Sequence, residues 1–350
     1  MACREALLWV EEERQLQLKT DYGDKFGLIH DMLATPQVIR DIEIDGIVDY
    51  PVPTDRVFVS GEASSRMFPG KLLRRRSLSE PFRIGVHVEG AAQLRRYPLD
   101  GTTVFIASNS GRTAECVRLL EHLDDAHLVT TVGVTAYEDS PVAKKADWTY
   151  VLRCGPESAV AATKAVVEQA LFYEVLFRAK EGVPQPDVAE LADAVEEVLH
   201  SEIPDETVSE TAAVPTIYFA GPNDGVGEEL ALKANEIARK RSVFLEGTYA
   251  VHGVEEVMSP QEMIVLIEPF EEVEDKFEQV FRSELGMKVL SIATRPTRFP
   301  TLQIPNLDAM SPYLALVAGW KLLAAAGIAA GLDVDHPKRA RKVGYAAGNA

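Results

Sequence analysis

The sequence has few cysteines and little positive charge. Its 350 residues include 3 cysteines, too few and too far apart for a disulfide framework or a zinc knuckle, namely Cys3, Cys116 and Cys154. They favour a reducing compartment, and we expect the cytoplasm. The 36 basic residues are outnumbered by 54 acidic ones, so the net charge is −18. Because nucleic acids and anionic lipids attract basic surfaces, we expect no nucleic-acid partner and no membrane partner.

Other signals are also missing. The longest apolar stretch, 314–332, is interrupted by Lys321 and by glycines, so we expect no membrane span. Neither a Walker A sequence nor a Gly-x-Gly-x-x-Gly sequence is present, which argues against a nucleotide ligand. No second histidine lies at helical spacing from His252, so we expect no metal and no other cofactor.

Strand-length apolar runs alternate with amphipathic stretches twice along the chain. The candidate strands are 56–61, 82–90, 102–110, 128–136 and 147–154, and then 216–221, 242–247, 263–270, 288–295 and 301–305. The candidate helices include 157–181, 187–200, 224–241, 272–285 and 312–329. Such alternation predicts an α/β fold, with parallel sheets that carry helices on both faces. We predict a helical segment over 1–50 and then one architecture used twice, over 51–186 and 187–350.

Two hydroxyl-rich turns follow strands of the first half. Ser60-Gly61-Glu62-Ala63-Ser64-Ser65-Arg66 follows the first strand, and Ser108-Asn109-Ser110-Gly111-Arg112-Thr113 follows the third. Ligands of open α/β sheets bind beyond the carboxyl ends of strands, where helix N-termini and hydroxyls attract anions. Each turn alone is equally typical of an ordinary helix N-cap, but two turns on one sheet edge favour an anion site.

Three charged residues of the predicted helix 224–241 share one face. Glu229, Lys233 and Glu236 are spaced i, i+4 and i+7. The pattern is compatible with a solvated Glu–Lys stripe. It is also compatible with a carboxylate base beside an ammonium, which could move a proton next to a carbonyl and stabilise the resulting charge.

The remaining polar signals are weaker. His252 lies in a loop after a short strand, where a lone histidine is often structural. The segment 332–342 becomes basic, and Pro337 predicts the first turn of a final helix. Its cations either stabilise a helix C-terminus or bring Lys342 into the site. The run Arg74–Ser77 is predicted to end a surface helix.

Together these segments resemble the tandem sugar isomerase (SIS) domain family, and most closely the isomerase half of the glutamine–fructose-6-phosphate amidotransferases. The family's Gly-x-Gly-(Ser/Thr)-Ser turn is similar to 61–65, its Ser-Gln-Ser-Gly-Glu-Thr turn to 108–113, and its Val-Ala-Ser-Thr-Lys segment to 160–164. The resemblance implies two flavodoxin-like SIS subdomains. It also implies that the sugar phosphate contacts Ser64, Ser65, Ser108, Asn109, Ser110, Thr113, Val160 and Ala162.

The catalytic residues are implied by three further motifs. The family's Glu-Gly-Ala-Leu-Lys-Leu-Lys-Glu-Ile helix is similar to 229–237, which implies that Glu236 moves a proton between C1 and C2 beside Lys233. Its Lys-His-Gly-Pro motif is similar to the sequence at His252, which implies ring opening by a histidine lent across a homodimer interface. Its Asp-Val-Asp-Gln-Pro tail is similar to 333–337, which implies that Lys342 reaches the open-chain sugar.

Three residues depart from the family pattern. Ala63 replaces a turn glycine and would be strained at positive φ, Ala162 replaces a serine, and Val254 replaces a proline. Only about 50 residues precede the first half, without Cys at position 2, so we expect no glutaminase.

The resemblance implies an enzyme of amino-sugar metabolism. It would interconvert glucosamine 6-phosphate with fructose 6-phosphate and ammonia, as a deaminase or an ammonia-dependent synthase. Three alternatives stay open: a deglycase of 6-phosphorylated fructosamines, a plain aldose–ketose sugar-phosphate isomerase, and a non-catalytic sugar-phosphate sensor.

Overall fold

Two parallel five-stranded sheets form the framework of the computed structural model, which describes residues 25–124, 128–341 and 346. The first sheet contains β1 (Arg56–Gly61), β2 (Gly85–Gly90), β3 (Thr103–Ala107), β4 (Thr130–Thr135) and β5 (Trp148–Val151), in the order β2-β1-β3-β4-β5. The second contains β6 (Thr216–Gly221), β7 (Arg241–Glu246), β8 (Met263–Ile267), β9 (Lys288–Ala293) and β10 (Thr301–Gln303), in the order β10-β9-β8-β6-β7. Read in reverse, the second order repeats the first. The prediction of one flavodoxin-like arrangement used twice is therefore confirmed.

Helices precede, connect and cover the sheets. Those of the first part are α1 (Gly27–Arg40), α2 (Ile44–Val48), α3 (Met67–Ser79), α4 (Ala91–Leu94), α5 (Ala114–Leu123), α6 (Pro141–Lys145) and α7 (Lys164–Glu181). Those of the second part are α8 (Val188–His200), α9 (Asp205–Ala213), α10 (Val226–Glu236), α11 (Glu274–Phe277), continued by a π-helix over Glu278–Glu284, and α12 (Ser311–Ala329). The helical prediction for 1–50 is tested only from residue 25 onward, and the boundaries at 50/51 and 186/187 stay predictions.

One hydrophobic core joins helices of the first half to the sheet and helices of the second half. It includes residues of α1, α3 and α7 together with residues of β6, α10 and α12. The ring of Phe68 packs edge-on against Tyr313, with centroids 5.2 Å apart. Gly225 lies so close to α3 that a β-carbon there would be 2.5 Å from the carbonyl oxygen of Met67. This contact brings the turn after β1 next to α10, where two predicted halves of one site meet.

The apolar stretch near the C-terminus forms the core helix of the second half. The segment Asp308–Ala329 has the length and mean hydropathy of a membrane-spanning helix, but 89% of its 18-residue apolar window is buried within the protein. Lys321 is 2% exposed and donates to the carbonyl of Val198 (3.1 Å) and to the Ser201 hydroxyl (3.0 Å). Burial lowers the pKa of Lys321 to about 8. The side chain thus satisfies groups at the C-terminal end of α8.

Four helix predictions need correction. The helix predicted over 157–181 begins at Lys164, since 157–163 form a loop. The helix predicted over 224–241 ends at Glu236, because β7 already begins at Arg241. No helix starts at Pro337 within the described residues 332–341, where the Asp333 carboxylate instead accepts the amides of Asp335 and His336 in a local turn. The run 74–77 lies inside α3 and is not merely a surface feature, since Arg76 is buried.

Candidate active site

A buried ammonium joins the two halves of the protein. Lys233 Nζ lies 3.1 Å from Glu229 Oε1, 3.0 Å from Glu236 Oε2 and 2.9 Å from the hydroxyl of Ser64, to which it donates. Lys233 and Glu229 are fully buried, and the side chain of Glu236 is 19% exposed. The predicted common face is therefore confirmed, and the alternative of a solvated stripe is wrong.

The two carboxylates keep Lys233 charged. Burial alone would lower the pKa of this amine, but Glu236 and Glu229 outweigh it and hold the pKa above its usual value. The cluster therefore contains a permanent positive charge. Glu236 is the member that combines contact with this charge and exposure to solvent, so it is the group able to exchange a proton with a ligand.

The first hydroxyl-rich turn is a 3₁₀ turn over Ala63–Ser65. Ala63 has a φ of 50°, so the condition under which an alanine at this turn position would be strained is met. The carbonyl of Ser65 accepts a hydrogen bond from Gln169 Nε2 at 2.6 Å. A β-carbon on Gly61 would lie 2.7 Å from the Ala107 carbonyl oxygen, so this position requires glycine. These contacts fix the turn at the carboxyl end of β1.

The second hydroxyl-rich turn lies directly beside the first, because β1 and β3 are paired neighbours. Ser108 and Thr113 join their hydroxyls at 2.8 Å, and Ser110 Oγ accepts the amide of Arg112 at 3.2 Å. The Asn109 side-chain nitrogen is buried and makes no hydrogen bond to any residue that the structure describes. The predicted clustering of hydroxyls and donors at one sheet edge is thus present. Binding of a phosphate there stays a prediction.

The loop that contains Val160 and Ala162 is held by hydrogen bonds that an acidic side chain accepts at the start of α7. The Glu157 carboxylate accepts the amides of Thr163 and Ala165 at 2.9 Å each, at the start of α7. The amide of Val160 donates to the carbonyl of Asp335 at 3.1 Å. The loop and the C-terminal tail are therefore in direct contact. Whether Val160 and Ala162 touch a sugar stays a prediction.

The tail runs from the second half to the first. Asp335 accepts the amides of Gly27 and Leu28 at 2.8 Å each, at the N-terminus of α1. Further along, Ala346 forms an antiparallel bridge with Thr113, in the second hydroxyl-rich turn. Lys342 lies outside the described residues, so its predicted place in the site is untested.

The side chain of His252 bonds to Thr248, and no contact with Glu236 is described for it. It follows β7 in an exposed loop, where its Nε2 is 3.3 Å from the Thr248 hydroxyl. Gly253, which follows it, has a φ of 105°. Two large apolar side chains near His252 are exposed to solvent, Tyr249 at 53% and Val257 at 76%. The assignment of His252 to ring opening, and its transfer across a dimer interface, stay predictions.

Part of the chain is similar to a known protein family. Residues 85–179, which include the second hydroxyl-rich turn, match the SIS domain family. The chain is 25% identical over 337 residues to the glutamine–fructose-6-phosphate aminotransferase (isomerizing) of Clostridium perfringens, an alignment that covers 87% of this chain and 54% of that protein. The chain spans about half the length of the first curated relatives it matches.

Solved structures share the fold across almost the whole chain. Glucosamine-6-phosphate deaminase from Thermotoga maritima superposes with a TM-score of 0.69 and 18% identity, over 91% of this chain and 99% of that chain. Tagatose-6-phosphate ketose/aldose isomerase from Escherichia coli superposes with a TM-score of 0.73 and 16% identity, over 90% and 97%. At these identities the likeness shows that the chain has their fold.

A cavity of about 750 Å³ opens beside Glu236. Its walls come from the end of α10, the start of β7 and the tail. Five of the lining side chains are cationic: Arg239, Lys240, Arg241, Lys338 and Arg339. The sequence pattern indicated only the basic tail, because 239–241 were expected inside a helix. The cavity is thus basic in a strongly acidic protein.

One group of possible metal ligands lies at the cavity rim. Oxygen and nitrogen atoms of Asp333, Asp335 and His336 lie within 4.8 Å of one another. The Asp335 carboxylate already accepts the amides of Gly27 and Leu28. These hydrogen bonds account for the position of the Asp335 carboxylate without a metal ion. The expectation of no metal stays a prediction.

Replacing Ala63 by Gly should stabilise the protein. A left-handed conformation costs a residue with a β-carbon about 1–2 kcal/mol, part of which is offset by the greater freedom of glycine in the unfolded chain. We expect a gain of about 0.5–1 kcal/mol in the free energy of unfolding from urea titration. Ala92→Gly, at an exposed position of α4, is the control and should lose stability. A loss with Ala63→Gly would contradict the strained conformation.

Replacing Lys233 by Met should destabilise the protein strongly. It leaves the buried Glu229 carboxylate without its counter-charge, which costs about 3–5 kcal/mol. Adding Glu229→Gln to the Lys233→Met protein should restore part of this loss, because the second change removes the uncompensated charge. Urea denaturation measures the free energy of unfolding of the single and the double variant. Equal stability of Lys233→Met and the natural protein would show that the ammonium does not hold the cluster together.

Proposed function

We propose that this protein is a phosphosugar isomerase-type enzyme that interconverts glucosamine 6-phosphate with fructose 6-phosphate and ammonia. It would act as a deaminase or an ammonia-dependent synthase. The observation that carries the proposal is the contact of Lys233 with both Glu236 and Ser64. Lys233 links the Glu236 carboxylate, which would act as the base, to the turn that would bind the substrate's phosphate or hydroxyls.

The first half would hold the phosphate. Hydroxyls of Ser64, Ser65, Ser108 and Thr113 lie on two adjacent turns at the carboxyl edge of the sheet. Backbone amides at such turns favour an anion, and the buried side-chain nitrogen of Asn109 offers a further donor. Binding would therefore depend on local dipoles, so a net charge of −18 is no obstacle.

Glu236 would carry the proton between the two carbons. In the open-chain form of glucosamine 6-phosphate, it removes the proton from C2 and returns it to C1. O1 gains a proton and the amine nitrogen releases one, so the aldehyde becomes a hydroxymethyl group and the amine becomes an imine. Water then hydrolyses the imine to the ketone of fructose 6-phosphate and ammonia. The fixed charge of Lys233, together with Lys342, would offset negative charge that develops on O1.

His252 would assist ring opening from a partner subunit. Its loop projects from the edge strand β7, whose Val243 is 44% exposed, and the apolar side chains of Tyr249 and Val257 beside it are also exposed. Exposed apolar groups at a sheet edge are typical of a protein interface. We therefore propose a homodimer in which each site takes His252 from the other chain.

The relatives support this choice of reaction class. One matched relative is named an isomerizing aminotransferase of fructose 6-phosphate, and two matched folds are named a glucosamine-6-phosphate deaminase and a ketose/aldose isomerase.

Purified protein incubated with glucosamine 6-phosphate should release ammonia and fructose 6-phosphate. Turnover of sugar phosphates without ammonia would indicate a plain isomerase. A shift of the melting temperature by hexose 6-phosphates without any turnover would indicate a sensor.

A second candidate reaction is favoured by the cationic cavity. A deglycase of 6-phosphorylated fructosamines needs room and a counter-charge for an amino-acid carboxylate beyond the sugar. The cavity beside Glu236 offers about 750 Å³ and the side chains of Arg241, Lys338 and Arg339. Release of a free amino acid from a fructosamine 6-phosphate, faster than ammonia from glucosamine 6-phosphate, would favour this reaction.

Replacing Glu236 by Gln should abolish most turnover without loss of the fold. A general base contributes typically 10²–10⁴-fold, so we expect kcat to fall at least about 100-fold. The change keeps the shape of the side chain, and ligand-induced stabilisation by fructose 6-phosphate should persist. Glu272→Gln, at an exposed position, is the control. A Glu236→Gln protein with near-natural kcat would exclude Glu236 as the base.

Mixing two inactive proteins should restore activity if His252 acts across the interface. We expect Glu236→Gln and His252→Ala to be inactive alone. In a heterodimer of the two, one site combines a natural Glu236 with a natural His252 from the other chain. Equal co-expression should therefore give about a quarter of the natural activity. A mixture that stays inactive despite heterodimer formation would place both residues in one chain's site.

A further inference from the structure

Arg239 lies where the helix that carries Glu236 ends. Its φ of 54° is a left-handed conformation, which glycine or asparagine usually occupies at the end of a helix. The amide of Lys240 returns to the carbonyl of Ala234 at 2.9 Å and closes the turn. Since Arg239 has a β-carbon, this conformation needs a compensating interaction from its surroundings.

The guanidinium of Arg239 provides that interaction through three carbonyl oxygens. Its Nη1 donates to the carbonyls of Glu236 and Ile237, the second at 2.9 Å, and its Nη2 donates to the carbonyl of Asp333 at 2.5 Å. Carbonyls in the last turn of a helix have no partner within the helix. The first two bonds therefore fix the end of α10, and the third attaches it to the tail.

The tail segment that Arg239 binds is itself anchored to the first half. Val334 is fully buried, and the Asp335 carboxylate accepts two amides at the start of α1. The Asp335 carbonyl accepts the amide of Val160. Through Asp333 and its neighbours, Arg239 thus connects the last turn of α10 to the α1 N-terminus and to the loop expected beside the sugar.

We propose that Arg239 is a positioning residue that holds Glu236 in the site by joining the end of α10 to the tail segment 333–335. The proposal rests on the proposed function of Glu236 as the base. Arg239 acts on backbone oxygens and does not touch the reacting atoms, so it affects the chemical step through Glu236. A displacement of a catalytic group by about 1 Å can cost 10²-fold in rate.

Arg239→Gly is the variant that isolates this contribution. Glycine accepts the left-handed backbone, so the chain path is kept while the guanidinium is lost. We expect kcat to fall about 10- to 100-fold and KM to change less than about two-fold. Arg239→Lys, which can keep one of the three bonds, should give an intermediate kcat. The matched control is Asp308→Gly, since Asp308 also has a positive φ, of 47°, but lies outside the site. We expect its kinetics to match those of the natural protein.

Amide hydrogen exchange provides a readout that does not depend on turnover. In Arg239→Gly, the amides of 233–237 and of 332–336 should exchange faster together, while those of the first sheet stay protected. Unchanged exchange in both segments, or an unchanged kcat, would overturn the proposal. A rise in KM alone would instead identify Arg239 as a substrate ligand in the cavity. If the natural protein turns over no sugar phosphate, the proposed function fails, and the exchange result alone still decides whether Arg239 ties α10 to the tail.

Discussion

The buried ammonium of Lys233 is the interaction on which the rest of the site depends. A charge taken out of water needs counter-charges and hydrogen-bond acceptors at short range. Here two carboxylates come from the same helix and the acceptor hydroxyl comes from the turn after β1. The pairing therefore fixes α10 of the second half against Ser64 of the first half. Ser64 and Glu236, which are far apart in sequence, are brought to one point because both need Lys233.

Acidic side chains around the site also act as counter-charges and hydrogen-bond acceptors. Asp31 pairs with Lys164 at 3.0 Å, Glu157 accepts amides at the start of α7, and Asp335 accepts amides at the start of α1. Each carboxylate satisfies groups that would otherwise be buried without partners. Part of the excess negative charge is thus structural, and not simply a solvating outer layer. The cationic cavity beside Glu236 is the opposite case, a local basic region inside an acidic chain.

The repeated sheets were predictable because their signals are local. The strands at 56–61 and 216–221 were located to the residue, since each apolar run ends in a glycine that the tight strand–turn junction requires. The common face of Glu229, Lys233 and Glu236 follows from helix geometry. The sequence identified Ala63 as strained if its φ were positive, and the structure supplies that positive φ. The features that the sequence did not predict depend on residues distant in sequence or on unusual backbone conformations. Arg76 is buried because Glu174 lies 3.1 Å away. The helix α10 ends at Glu236, and the left-handed residue that follows it is Arg239, where glycine would have been the signal.

If the hydroxyl-rich turns and Glu236 form one site, a single ligand contacts both. A crystal structure of the Glu236→Gln protein with glucosamine 6-phosphate shows whether it does. We expect the phosphate on the turns at 63–65 and 108–113, with C1 and C2 within about 3.5 Å of the carboxamide at position 236. A phosphate bound in the cationic cavity, or a sugar whose C1 and C2 lie far from position 236, would contradict this arrangement.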